Sequence, residues 1–238
     1  MSTINFLSPA GGIPARQQHI IASQPGKGIS LQDILKSLPR VRGGNYWLGT
    51  ADVHIRITQR QRIVLAVAKA VRLDSLLDLA VTAAATGQHA SDITPLVVTE
   101  SLGDWQEKIK VCDRMPKFVS PDEFLRMWQF NPRWLHIGAR YTLLILDRVQ
   151  RDWDITPHII VNLASQPRFS ALITTETEYG IYLAHIIQSA QMVIGAITAE
   201  DAQTLIGEAT PADIQSGNGR FCLHDGIRWR TFDTATHP

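Results

Sequence analysis

Residues 52–58, Asp-Val-His-Ile-Arg-Ile-Thr, alternate strictly between apolar and polar. Val53, Ile55 and Ile57 share one face; His54, Arg56 and Thr58 share the other. A period of two with β-branched residues on one side defines a half-buried strand. The next apolar set, Ile63, Val64, Val67, Ala70 and Val71, falls at helical spacing. After Leu73-Asp74-Ser75, residues Leu76 to Thr86 read as a second short helix, capped by Asp74 or Ser75 and ended by Gly87. A strand followed at once by two helices has no sheet partner close by in sequence. Its backbone donors and acceptors still need partners. The expectation is a ribbon made with the same strand of a second chain, sealed by Val53, Ile55 and Ile57 of a homodimer. The alternative is an ordinary strand of one α+β domain, paired with 97–99 or 109–111.

The charge distribution favours the ribbon. The chain has 238 residues and a formal net charge of +1. Residues 1–72 carry ten Lys/Arg against two acids, a net of +8; the remainder carries a net of −7. Such asymmetry points toward a polyanion. A two-stranded ribbon fits the major groove of B-DNA. On its outer face Arg56 would read guanine, Thr58 a thymine methyl or a hydrogen-bonding edge, and His54 either kind of group. Arg40, Arg42, Arg60, Arg62 and Arg72 would meet phosphates, and so would the helix start at Ser75. Double-stranded promoter or operator DNA is the expected partner, with RNA polymerase as a further candidate.

These residues resemble the ribbon-helix-helix family over 52–87, about a sixth of the chain. The interval from Arg56 to Ser75 is 19 residues, and Leu65 falls where the family has a core leucine. The glycine that often precedes the family's second helix is absent. Asp74 stands there instead, where a carboxylate repels phosphate. The long remainder is similar to AcaB-type activators of conjugative plasmid transfer genes. That resemblance implies a dimeric regulator acting at promoters. Alternatives are a relaxosome or partition accessory protein, and a protein-interaction module without DNA binding.

Along the chain, 1–50 reads as a basic arm rich in Gly and Pro, 51–90 as the ribbon-helix-helix segment, and 91–238 as a helical C-terminal domain. The expected class is therefore mainly α with minor β, a ribbon-helix-helix segment plus a larger helical α+β domain. Ser30 suits the start of a helix over 30–38, and Ser120-Pro121-Asp122-Glu123 is a capping box. Residues 132–153 and 175–197 read as long amphipathic helices. Thr198 to Asp201 opens another, and 221–230 reads as two strands about His224-Asp225-Gly226.

Catalytic chemistry finds no constellation in the sequence. Cys112 and Cys222 read as two thiols, His136 and His185 as core or interface residues, and Glu176 and Glu178 as acids at a helix start. Trp128, Trp134, Tyr141 and Trp153 read as core or a dimer face. The expectation is no enzyme, no catalytic residue, no metal and no cofactor. No run of 18 apolar residues occurs, so no membrane span is expected, and the location expected is cytoplasmic.

Overall fold

A computed structural model of the chain describes residues 30–37, 45–48, 54–56, 63–69, 73–74, 76–78, 80–81, 92–112, 115–130, 141–166, 168–188, 190–195, 197–207, 220–224 and 229–234. Its centre is an eight-stranded sheet. Strands β3 (Ile63–Ala68), β4 (Ile93–Val98), β5 (Lys117–Val119), β6 (Tyr141–Leu146), β7 (Phe169–Thr175), β8 (Gln191–Gly195), β9 (Arg220–His224) and β10 (Trp229–Asp233) lie in the order β10-β9-β8-β3-β7-β6-β4-β5. The six strands from β8 to β5 are parallel; β9 and β10 add an antiparallel edge. A separate hairpin pairs β1 (Asn45–Trp47) with β2 (His54–Arg56).

Why residues 63–68 form a strand follows from what covers them. All six side chains of Ile-Val-Leu-Ala-Val-Ala are buried. A parallel strand covered on both faces reads as a continuous apolar run, without the period of two. Alternate residues serve opposite layers. Val64, Ala66 and Ala68 join Leu143, Ile145 and Leu172 on one side of the sheet. Ile63, Leu65 and Val67 join Leu144, Leu146 and Ile173 on the other. Each fully buried Val, Leu or Ile side chain contributes roughly 1.5–3 kcal/mol of transfer free energy.

Helices fill both layers. The first layer holds α2, helical at 73–74, 76–78 and 80–81, through Leu73, Leu76, Leu77, Ala80 and Val81. It also takes Trp105 of α3 (Leu102–Lys108) and Tyr46 of β1. The second layer holds α4 (Pro121–Phe130), α5 (Pro157–Ser165), α6 (Thr177–Ile186) and α7 (Ala199–Ile206) through Phe124, Ile160, Leu183 and Ala202. A short helix α1 (Leu31–Ser37) precedes the hairpin and buries Ile34.

This architecture overturns the expected class. The molecule is α/β with a large mixed sheet, not mainly α with a ribbon-helix-helix segment. The hairpin decides the point locally. β2 pairs antiparallel with β1 of its own chain, Asn45 opposite Arg56, Tyr46 opposite Ile55 and Trp47 opposite His54. The segment expected to be the first helix is the central strand β3. The helix expected over 132–153 contains strand β6, and the one over 175–197 contains the end of β7, α6 and all of β8. Local signals fared better. Ser30 Oγ accepts the Asp33 amide at 3.2 Å, Ser120 Oγ the Glu123 amide at 3.2 Å, and Thr198 Oγ1 the Asp201 amide at 3.1 Å. The C-terminal hairpin forms as β9 and β10.

Candidate functional site

In parallel sheets, ligands sit beyond the carboxyl ends of the strands, where successive connections leave in opposite directions. Here the chain leaving β3 passes β7 and β6 to reach β4, whereas the chain leaving β7 passes back over β3 to β8. A cleft of about 570 Å³ opens at this edge, where β4, β6 and β7 end. Thr99 and Glu100 follow β4, Asp147 and Arg148 follow β6, and Glu176, Glu178 and Tyr179 follow β7 or begin α6. Trp153 closes one wall and donates its indole N–H to Glu100 Oε1 at 2.8 Å.

Asp147 is the organising residue. Its relative exposure is 2%. A buried carboxylate is tolerated only with compensating partners. Thr99 Oγ1 donates to Oδ2 at 2.8 Å and Trp105 Nε1 donates to the same oxygen at 3.1 Å. Arg148 Nε donates to Oδ1 at 3.1 Å. The Asp147 amide continues the sheet pattern by donating to the Val98 carbonyl at 2.9 Å.

Arg148 reaches this position from an unusual backbone. Its φ is 56°, in the left-handed region that a residue with a Cβ rarely enters. The turn is held by β7: the Arg148 amide donates to Thr174 Oγ1 at 2.8 Å and the Val149 amide to the Thr174 carbonyl at 2.8 Å. So placed, the guanidinium meets Asp74 of α2 at 3.7 Å and Asp104 of α3 at 3.9 Å. Burial opposes its charge, but Asp147, Asp74 and Asp104 outweigh that effect and raise its pKa further above its ordinary value.

His54, Arg56 and Ile55 belong to β2. Thr58, Arg40, Arg42, Arg60, Arg62, Arg72, Ser75, Val53 and Ile57 lie outside the described residues. Glu176 and Glu178 do stand at the start of a helix, and there they line the cleft. Asp147 was missed, although a signal existed: four apolar residues, Leu143 to Leu146, run directly into an acid. A buried strand ending in a carboxylate at a sheet's carboxyl edge has that pattern. Among the described residues no group of three or more His, Cys, Asp and Glu could hold a metal ion.

The parallel order and the acid at the tip of β6 define a class: α/β domains of the kind that bind ligands along the carboxyl edge. The particular members it is similar to are ATPases. The cytoplasmic domain of EssC superposes with a TM-score of 0.61 at 14% identity, over 92% of this chain and 50% of that one. ATPases 2 and 3 of Thermomonospora curvata EccC, in complex with a signal sequence peptide, give 0.55 at 10% identity, over 82% and 41%. The genome packaging NTPase B204 of Sulfolobus turreted icosahedral virus 2, in complex with AMPPCP, gives 0.50 at 13% identity, over 75% and 100%. The chain thus spans half or less of those two secretion ATPase structures. No sequence family and no curated protein matches it.

These likenesses overturn the reading as a ribbon-helix-helix activator, together with its promoter DNA, RNA polymerase and ribbon-homodimer partners. The relaxosome or partition accessory, which needed the same DNA-reading ribbon, falls with it. The expectation of no enzyme also loses its ground, because the fold is one that ATPases use. Among the described residues no helix is long and apolar enough to cross a membrane.

Nucleotide-binding members of this fold class can be compared with the residues present. A P-loop reads Gly-x4-Gly-Lys-Ser/Thr between a strand and a helix; its backbone N–H groups cradle phosphates and its Lys meets them. The Mg²⁺ is held by the loop's Ser/Thr and by an Asp on another strand. From the last residue of β3 into α2, this chain reads Ala68-Lys69-Ala70-Val71-Arg72-Leu73-Asp74-Ser75. Both glycines are replaced, and Asp74 stands where the lysine would. The Leu73 amide is already engaged, donating to the Lys69 carbonyl at 3.3 Å. Asp147 matches the metal-holding acid in place, but Arg148 already neutralises it. The residues do not fit a P-loop triphosphate.

Proposed function

We propose that this chain is a motor-fold domain of a machine that moves or packages macromolecules, and that its cleft takes a basic peptide segment. The observation that carries this reading is the electrostatics of the carboxyl edge. Among the described residues that line the cleft, the acids Glu100, Asp147, Glu176 and Glu178 outnumber the cations Arg148 and Arg151. A triphosphate entering there would meet like charge. A lysine or arginine side chain would meet carboxylates in a partly desolvated setting, with the half-buried Tyr179 ring at the cleft wall for cation–π contact. The complex of the EccC domains with a signal sequence peptide supports peptide binding on this fold.

The test is fluorescence anisotropy of the full chain with labelled peptides of equal length, one rich in lysine and arginine, one uncharged. Saturable binding of the basic peptide is expected, weakened by salt and by Glu178→Gln. Equal affinity for both peptides, or binding insensitive to both salt and Glu178→Gln, contradicts the assigned ligand.

A further inference from the structure

The cleft holds one group that a peptide ligand does not explain: a guanidinium set among three carboxylates by a backbone that L-residues avoid. A left-handed residue with a Cβ persists only where its surroundings over-determine it, and such outliers gather at working sites. Thr174 supplies that constraint through its hydroxyl and its carbonyl. The side chain so aimed connects three separate elements: Asp147 at the tip of β6, Asp74 of α2, and Asp104 on α3.

The sign of each charge matters. In a working P-loop the residue at position 74 is a cation that meets phosphate, and the acid at the tip of the neighbouring strand meets Mg²⁺. Here position 74 is an anion, and the residue after the acid is a cation. The pair is inverted, and its two charges meet at 3.7 Å.

We propose that Arg148 is a resident substitute for the bound cation and phosphate of this fold. The Asp74–Arg148 pair latches α2 to the tip of β6, so the carboxyl edge holds its arrangement with no nucleoside triphosphate. A triphosphate would have to break this pair and then lie against Asp74, Asp104 and Asp147, the three carboxylates that Arg148 now meets. This inference stands on the fold and not on the peptide reading; a failed peptide titration leaves it in place.

The experiment uses the full chain in a charge-reversal cycle: Asp74→Arg, Arg148→Asp and both together. Each single variant is expected to lower the melting temperature by several degrees, and the double variant to lose clearly less than the sum of the two, the Asp147 and Asp104 contacts of Arg148 staying lost. Should a single variant fail to fold, Asp74→Asn, Arg148→Gln and their combination provide a milder cycle, in which Asp74→Asn adds little once Arg148→Gln is in place. In parallel, a fluorescent ATP analogue with Mg²⁺ is titrated into wild type to millimolar concentration. No saturable binding and no shift in melting temperature are expected. Additive losses around the cycle overturn the latch, and saturable Mg²⁺-dependent nucleotide binding by wild type overturns the substitution.

Discussion

Arg148 and Arg220 each place Nε beside a carboxylate Oδ1, at 3.1 Å from Asp147 and 3.0 Å from Asp233. The distances are the same; the settings are not. The Asp147 side chain is 1% exposed and the Asp233 side chain 27%. One arginine stands at the ligand edge of the parallel strands, the other on the β9–β10 hairpin that extends the far side of the sheet. Between water-facing partners, Coulomb attraction is screened and the side chains lose freedom to meet, so the net gain is small. Around a buried carboxylate the larger quantity is the penalty that appears when a partner is lost. Contact distance alone therefore does not rank these two pairs; burial of the acid does.

Four substitutions would break or sharpen that contrast. Asp147→Ala is expected to cost most, about 3 kcal/mol in urea unfolding, because Thr99, Trp105 and Arg148 all lose their shared acceptor. Arg148→Ala should follow at about 2 kcal/mol, reduced by the partial exposure of the guanidinium. A loss of stability equal to that of an exposed pair would refute the ranking. Thr99→Val removes one neutral donor to Asp147 and should cost about 1 kcal/mol, read from the same unfolding midpoints. Smallest is Arg220→Gln, below about 1 kcal/mol, with its effect shrinking further at high salt. A salt-independent loss there would mean that the hairpin pair is more desolvated than its exposure shows.

What the sequence made legible was local. Ser30, Ser120 and Thr198 act within a few residues of themselves, so a cap is visible before any tertiary structure exists. The β9–β10 hairpin is equally short in range. Parallel strands differ because their pairing partners are distant. Val64 pairs with Leu172 and Gln191, more than a hundred residues away. Burial on both faces also erases the alternation that announces a strand, so 63–68 and 141–146 passed for pieces of amphipathic helix. With β6 misread, its terminal acid had no reason to stand out. Among the traces of the site in the sequence was Asp74, noticed as a carboxylate where phosphate contact was expected. Its partner could be found only in three dimensions, 74 positions further along the chain.

Gly180 gives the cleft a mechanical character. A Cβ at this position would fall 2.7 Å from Val67 Cγ2 and 2.8 Å from Val67 Cγ1, so α6 lies against β3 with nothing between them to yield. The residues just before it, Glu178 and Tyr179, belong to the cleft wall. A push on that wall has no soft cushion to absorb it beneath the helix. It passes to Val67 and so to the strand at the heart of the sheet, whose neighbours on either side are β7 and β8. The first turn of α6 is thus a short lever resting on the middle of the molecule, and whatever occupies the cleft leans on it.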